Sequence, residues 1–459
     1  GGRMAPMKVG RLLLLGGLCL TLMLSSGVAD GADDEPERVL GLTYDEGFRF
    51  GSADSLFFLR INGLLQLRYT YVDYDPNIRD NDTDYSNFYM RRARLYFMGH
   101  AFNPKFGYFF HIQLEPTRTI NAHDLWIEYE FSDLLCVGAG RMKIAYGLEF
   151  LNSGAGLGMV ERSVFSGETD IDAGPPDQPG PRYPGGGSER FGLTWTADTG
   201  YATGGLTLYR SQGVQLRGQR GSATTPTFEY QLGVWQGRST LGLSNSGTDH
   251  LYSLRVGYHP WGFIDWRWMG DPGRTPRVKL GTLASVYANR GDGGGGYSEL
   301  GWNLAAMLRY RGFSADLEWA TEVFDYDLED DDFERGGWRA ELGWFVLPPK
   351  VELRARYAVV GRLRDPTYRA AVASGLGAPE VADGVGWTTA IERTIAETSV
   401  GVNYFINQWH RHKLQFDASR LERSFAADPD AIVDGVPAAI AKAPDQVDWR
   451  VRAMVQFTF

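Results

Sequence analysis

Four guanidinium groups carry the first chemical signal in this chain. Arg60 and Arg68 occupy polar positions of an alternating stretch at 56–73, and Arg92 and Arg94 do so in the next one, at 87–101. Side chains of a strand alternate between its two faces, so even spacing keeps these groups on one side. Two adjacent strands marked in this way present a ladder of fixed positive charge to a passing anion. The plainer reading is that the arginines pair with acids across strands and brace a wall. Lys105, Arg354, Arg356, Arg450 and Arg452 fall on polar faces of other stretches, and Lys143 ends one more. Acids such as Asp124, Glu318, Glu397 and Asp417 share those faces, so the signs are mixed.

A second charged set lies between strands, at 144–189: Glu149, Glu161, Arg162, Glu168, Asp170 and Asp172. Pro and Gly crowd 171–187 and exclude regular structure there. The segment either folds inward as a constriction facing the basic wall or remains a solvated loop. The histidines are scattered, and neither a HExxH nor a GxSxG motif occurs. The glycine-rich 291–296 lacks the lysine and helix of a phosphate loop. The acidic run at 325–334 lacks the Gly and terminal Glu of a calcium loop and reads as solvated. No catalytic residue, metal ligand or cofactor is therefore expected. The net charge of −10 gives no footing for nucleic acid.

What must position these groups is a set of strands. In the last thirteen residues, Val447, Trp449, Val451, Ala453, Val455, Phe457 and Phe459 share one face; Asp448, Arg450, Arg452, Met454, Gln456 and Thr458 share the other. The same pattern recurs at 56–73, 105–115, 313–324 and 350–360. With charges confined to one face over roughly ten residues, it describes a transmembrane barrel, greasy outside and wet within. Further candidates at 87–101, 122–131, 134–143, 190–198, 227–237, 250–258, 277–288, 298–311, 334–347, 394–406 and 410–423 bring the count to sixteen. Short connections alternate with long polar ones, as in outer-membrane barrels with both ends of the chain in the periplasm. Eighteen strands is the alternative, if pieces within 199–226 form a hairpin. The Trp-rich stretch 259–276 reads as a strand extension or an interfacial segment.

The chain has 459 residues, suiting one large barrel. Lys8 and Arg11 precede a short apolar run at 12–24, with small residues near Ala29, so 1–29 reads as an export signal. Residues 30–55 read as a leader and 56–459 as the barrel. Once 1–29 are removed, Cys136 is the only cysteine, which excludes an internal disulfide.

Several segments resemble the phosphate-selective porin O/P family: RRARLYFMGHAFNPKFGYFFHIQLE from Arg91, AHDLWIEYEF from Ala122, GAGRMKIAYGLEFLNS from Gly138 and MVERS from Met159. SVGVNYFINQWHRHKLQFDASRLE from Ser399 and the terminal RVRAMVQFTF are similar to the family's last strands. The resemblance implies a sixteen-stranded barrel, usually trimeric, with a constricted lumen. Phosphate-selective members use stacked arginines and a lysine-rich constriction loop. Here 144–189 contains no Lys, and its acids outnumber its bases.

The expectation is an all-β transmembrane barrel acting as a passive, water-filled channel for ions and small solutes, with Arg60, Arg68, Arg92 and Arg94 as an anion path. The rivals are an outer-membrane barrel hydrolase and a plugged structural or adhesive barrel. Expected partners are outer-membrane lipid and lipopolysaccharide, two further copies of the chain, and the barrel-assembly machinery acting on the strand that ends at Phe459.

Overall fold

The structure is a computed structural model. It describes residues 41–459 except 46, 74–84, 115–120, 167–188, 191–192, 195–205, 209, 237–249, 292–296, 327–332, 365–389, 408–409, 428–431, 434–435 and 438–445. The proposed signal, most of the acidic run at 325–334, and Glu168, Asp170 and Asp172 lie outside the described residues.

A short hairpin, β1 (Gly41–Tyr44) and β2 (Phe48–Gly51), precedes the wall. The wall begins with β3 (Phe58–Asp73), β4 (Tyr85–Ala101), β5 (Asn103–Gln113), β6 (Asn121–Ser132) and β7 (Leu135–Lys143). It continues with β8 (Arg210–Arg220), β9 (Thr227–Gln236), β10 (His250–His259), β11 (Lys279–Gly291), β12 (Tyr297–Tyr310) and β13 (Phe313–Tyr326). It ends with β14 (Phe333–Leu347), β15 (Val351–Arg364), β16 (Ala390–Phe405), β17 (Lys413–Ala427) and β18 (Gln446–Thr458). Each strand from β3 to β18 pairs antiparallel with its sequence neighbour, and β18 pairs with β3, so sixteen strands close. Closure leaves no open edge, as hydrocarbon requires, because an unpaired backbone group there costs several kcal/mol.

The seam closes at the last residue. β18 covers β3 from Leu64 to Asp73, and β2 covers it from Phe58 to Ile61. Between them Gly63 and Phe459 exchange backbone hydrogen bonds of 3.0 and 3.2 Å. The Phe459 ring occupies the space that a Cβ on Gly63 would need, within 2.2 Å.

Alternation holds around the wall. Outward residues such as Phe88 (71% exposed), Trp344 (58%) and Val400 (60%) stand bare, as an apolar surface facing lipid does, while the inward neighbours of Trp344 and Val400 are buried. No helix among the described residues is long and apolar enough to cross a membrane.

Two expectations need correction. The sixth wall strand is Arg210–Arg220, not 190–198; Glu189–Arg190 and Leu193–Thr194 form only a separate two-residue pairing. The sixth strand was hard to see because its outward face offers little beyond Val214 and Leu216. Gly218 shares that face, and Tyr230 of β9 lies across it and donates to Leu134 O at 2.7 Å. The alternative of eighteen strands falls with this correction. The stretch 259–276 neither extends a strand nor lies flat at the interface. Its Ile264, Met269 and Asp271 are buried, and its backbone bonds to the 144–166 loop.

Candidate functional site

The connection after β7 turns back into the barrel and fills part of the lumen. Its apolar side chains carry it inward, because they bury against inward-facing wall residues rather than against lipid. Val164 and Phe165 pack with Ala320, Ala358, Val360, Ile395 and Leu421. Ile144 and Tyr146 pack with Trp235, Leu251 and Tyr287, and Leu148 packs with Leu283, Ala305 and Met307. At its deepest point the loop meets the connection between β10 and β11. Ser153 N donates to Arg267 O and Met269 N to Gly156 O, both at 2.9 Å. The Asn152 side chain bonds Trp266 O. His410, in the turn before β17, donates to Met269 O and accepts from Lys413 Nζ, which also bonds Leu157 O.

Two carboxylates hold the loop in register. Glu161 sits among three guanidinium groups: Arg91 at 2.5 Å, Arg92 at 2.6 Å and Arg68 at 3.1 Å. Burial would raise its pKa, but Arg91, Arg92 and Arg68 together outweigh it and hold the carboxyl well below the usual carboxylate range. Glu149 ties the two limbs of the loop together: it accepts from Ser163 N and Oγ and from Ser166 Oγ. Burial opposes its charge as well, and Arg339 and Arg356 prevail, so its pKa is lowered. The far wall grips the backbone directly. Glu318 accepts from Leu148 N and Glu149 N, Asp417 from Val160 N, and Glu397 from Val164 N.

The basic residues proposed from sequence thus divide. Arg354 is paired with Glu341 and Glu352; Arg356 with Glu397 and, at longer range, Glu341 and Glu149. Arg450 reaches Glu397, and Arg452 grips Asp417 through two nitrogens. These four are fully sunk and serve as braces. Arg68 and Arg92 are buried against Glu161. Lys143 donates to Phe150 O and Asn152 O, and Arg162 bonds the same carbonyls, so both hold the loop's own turn. Arg94 is half-buried opposite Leu64 and Gln113; Arg60 is half-buried with a nitrogen 2.8 Å from Met98 Sδ; Lys105 is exposed near the start of β5.

Two basic residues were missed. The register of β3 with β4 slips between Gln66 and Leu67, which pair with Arg92 and Met90. Arg91 is the extra residue of this β-bulge, and the bulge lets Arg91 and Arg92 both reach Glu161 inside. Adjacent arginines were the available signal. Strict alternation would put one of them in lipid, where a cation at mid-depth costs about 2–4 kcal/mol. Arg210 lies in the strand the sequence hid and bonds Asp124 at 2.8 Å; His111 bonds the other oxygen at 2.7 Å. Among the described residues no group of metal-ligating side chains is assembled.

A closed sixteen-stranded barrel with lipid-facing apolar residues, a polar interior and an inserted loop defines an outer-membrane porin. A family model described as phosphate-selective porin O and P matches residues 61–238, and over that stretch the chain is similar to this family. Among solved structures, the anion-selective porin from Comamonas acidovorans is similar at 12% identity and TM-score 0.51, covering 87% of this chain and 99% of that one. The outer membrane channel DcaP of Acinetobacter baumannii shares 13% identity at TM-score 0.48, over 92% of this chain and 100% of that one. OmpT of Vibrio cholerae, in its trimer form, shares 10% at TM-score 0.46, over 87% and 99%. No curated sequence matches the chain.

Proposed function

We propose that this outer-membrane channel passes small solutes down their gradients with a preference for anions. The observation that carries the preference is the clustering of Arg60, Arg68, Arg91, Arg92 and Arg94 on the inner faces of β3 and β4, with Arg60 and Arg94 only half-buried. A charged strip beside a narrow path sets ion preference because permeant ions pass within a few ångströms of it. In this reading Arg60, Arg94 and Lys105 line the path. Arg68, Arg91 and Arg92 lie beside it and anchor the loop through Glu161, and Glu149, Glu161 and Arg162 fix the constriction. Arg354, Arg356, Arg450, Arg452 and Lys143 hold the loop without lining the path.

The reading includes residues 1–29 as an export signal, 30–55 as a leader, and 56–459 as the porin domain. It takes the working form to be a homotrimer in outer-membrane lipid and lipopolysaccharide, delivered by the barrel-assembly machinery through the strand ending at Phe459. It requires no cofactor, metal or catalytic step.

Reversal potential in planar bilayers under a tenfold KCl gradient tests it. Anion preference places the potential on the chloride side of zero. A cation-side value removes the preference, and absence of stable current removes the open channel.

A further inference from the structure

One sector of the lumen wall combines cations with aromatic rings, and the loop leaves it partly uncovered. Inward-facing residues of β11–β17 are almost all buried under the loop, among them Asn303, Met307, Glu318, Arg339, Glu352 and Asp417. On β4–β6 the inward-facing Arg94, Tyr96, Met98, Phe109 and Trp126 are instead half-buried. The remaining opening therefore runs along β4–β6. Phe109 and Trp126 are direct cross-strand partners with stacked rings, centroids 5.3 Å apart and planes at 23°. Tyr96 lies 6.1 Å from Phe109, so the three rings form one patch. Arg94 stands two residues from Tyr96 on β4 and its side chain hydrogen-bonds the Tyr96 hydroxyl, and Arg60 faces Met98 on the other side of the patch.

We infer that this patch and Arg94 form a solute-binding strip for aryl carboxylates, small anions that carry one carboxylate and one flat apolar face. The inference rests on the anion-channel reading and adds its solute class. A bare inorganic anion is strongly hydrated and gains nothing from ring faces. An aryl carboxylate places its charge beside the Arg94 guanidinium and its ring against the Phe109 and Trp126 rings of the same patch. Rings facing lipid would need no such explanation; these face the wet side of the wall, where apolar surface has no partner from the membrane.

The test uses the full-length exported protein in planar bilayers. Reversal potential is read first, so that failure of the channel reading is seen independently: a cation-selective channel overturns that reading and this one with it. In anion-selective channels, chloride current is then titrated with benzoate, acetate and inorganic phosphate. The inference predicts half-block by benzoate at a concentration about fivefold below that of acetate, the size expected of one added ring contact. Phe109→Leu and Trp126→Leu should abolish the difference and leave the reversal potential unchanged. Trp126 also packs against the Tyr146 cluster, so Tyr96→Leu serves as a second variant, and folding of each is checked by heat-modifiable gel mobility. Equal block by benzoate and acetate, tighter block by phosphate, or benzoate block unchanged in well-folded variants would overturn the aryl-carboxylate assignment while leaving the anion channel standing.

Discussion

The two halves of the lumen wall use the same residue types for opposite purposes. On β12–β18, arginines and carboxylates interleave: Arg309 with Asp316, Arg339 with Glu318, Arg354 with Glu341 and Glu352, Arg452 with Asp417. Nearly every charge there is buried and answered, and several carboxylates also accept from the loop backbone. On β3 and β4 the inward charges among the described residues are basic, and Arg68, Arg91 and Arg92 converge on a carboxylate, Glu161, that comes from the loop. The first half carries its own counter-charges and grips the loop backbone, and the second takes a counter-charge from the loop. An arginine in a porin lumen is therefore informative only together with its partners.

The comparison can be broken first at Glu161. Glu161→Gln leaves three arginines without their common counter-charge, and breaking a buried charge network of this kind costs about 3–5 kcal/mol. The loop should loosen, and the lumen should become more positive at once. Single-channel recordings should show noisier, larger steps together with a reversal potential moved further toward chloride. A quieter or unchanged channel would place Glu161 outside the constriction.

The next largest effect separates the halves. Arg354→Ala takes the nearest cation from Glu341 and Glu352, two carboxylates with 0% side-chain exposure, at a cost of about 3–5 kcal/mol. It should lower the temperature at which the barrel loses its compact gel mobility. Arg94→Ala should leave that temperature nearly unchanged and reduce anion preference. Equal thermal losses in the two variants would erase the distinction between the two halves.

A smaller effect concerns the loop's own clasp. Glu149→Gln weakens acceptance from Ser163 and Ser166 and removes the partner of Arg339 at 3.5 Å. Loss of one charge-assisted hydrogen-bonding partner costs about 1.5–3 kcal/mol. Protease cleavage within 144–166 should accelerate while the barrel stays folded.

The smallest effect is an expected constancy. Glu161 has a depressed pKa in the folded state, so its contribution is fully present above its unfolded pKa of about 4.3 and is lost only as pH falls through the much lower folded value. Conductance should therefore stay flat from pH 7 to pH 5. A step in that window that Glu161→Gln abolishes would mean that Glu161 is not held by Arg91, Arg92 and Arg68 as described.

Much of this was legible from period-two alternation. The lipid face is written at every second position, and wall strands such as Phe313–Tyr326 and Gln446–Thr458 follow it closely. Sequence failed where the period is interrupted or diluted. Arg91 sits in a bulge, which a strict alternation rule cannot place. Arg210–Arg220 replaces outward aliphatics with Gly and polar residues, relying on Tyr230 to cover the gap. The 144–166 loop and the connection after β10 carry no period, because each is fixed by contacts distant in sequence, such as Val160 to Asp417 and Ser153 to Arg267. Charge type could be read from sequence, but the identity of each charge's partner could not. Arg354 meets acids of its own wall, Glu341 and Glu352, whereas Arg68 and Arg92 meet an acid that the loop brings, Glu161.

The most direct measurement is a pair of reversal potentials in the same salt gradient, one for Arg94→Ala and one for the charge-matched double variant Arg452→Gln/Asp417→Asn. The account predicts that Arg94→Ala moves the potential toward zero and that the double variant keeps the parent value. The reverse order, with the β17–β18 pair setting selectivity and Arg94 silent, would contradict it.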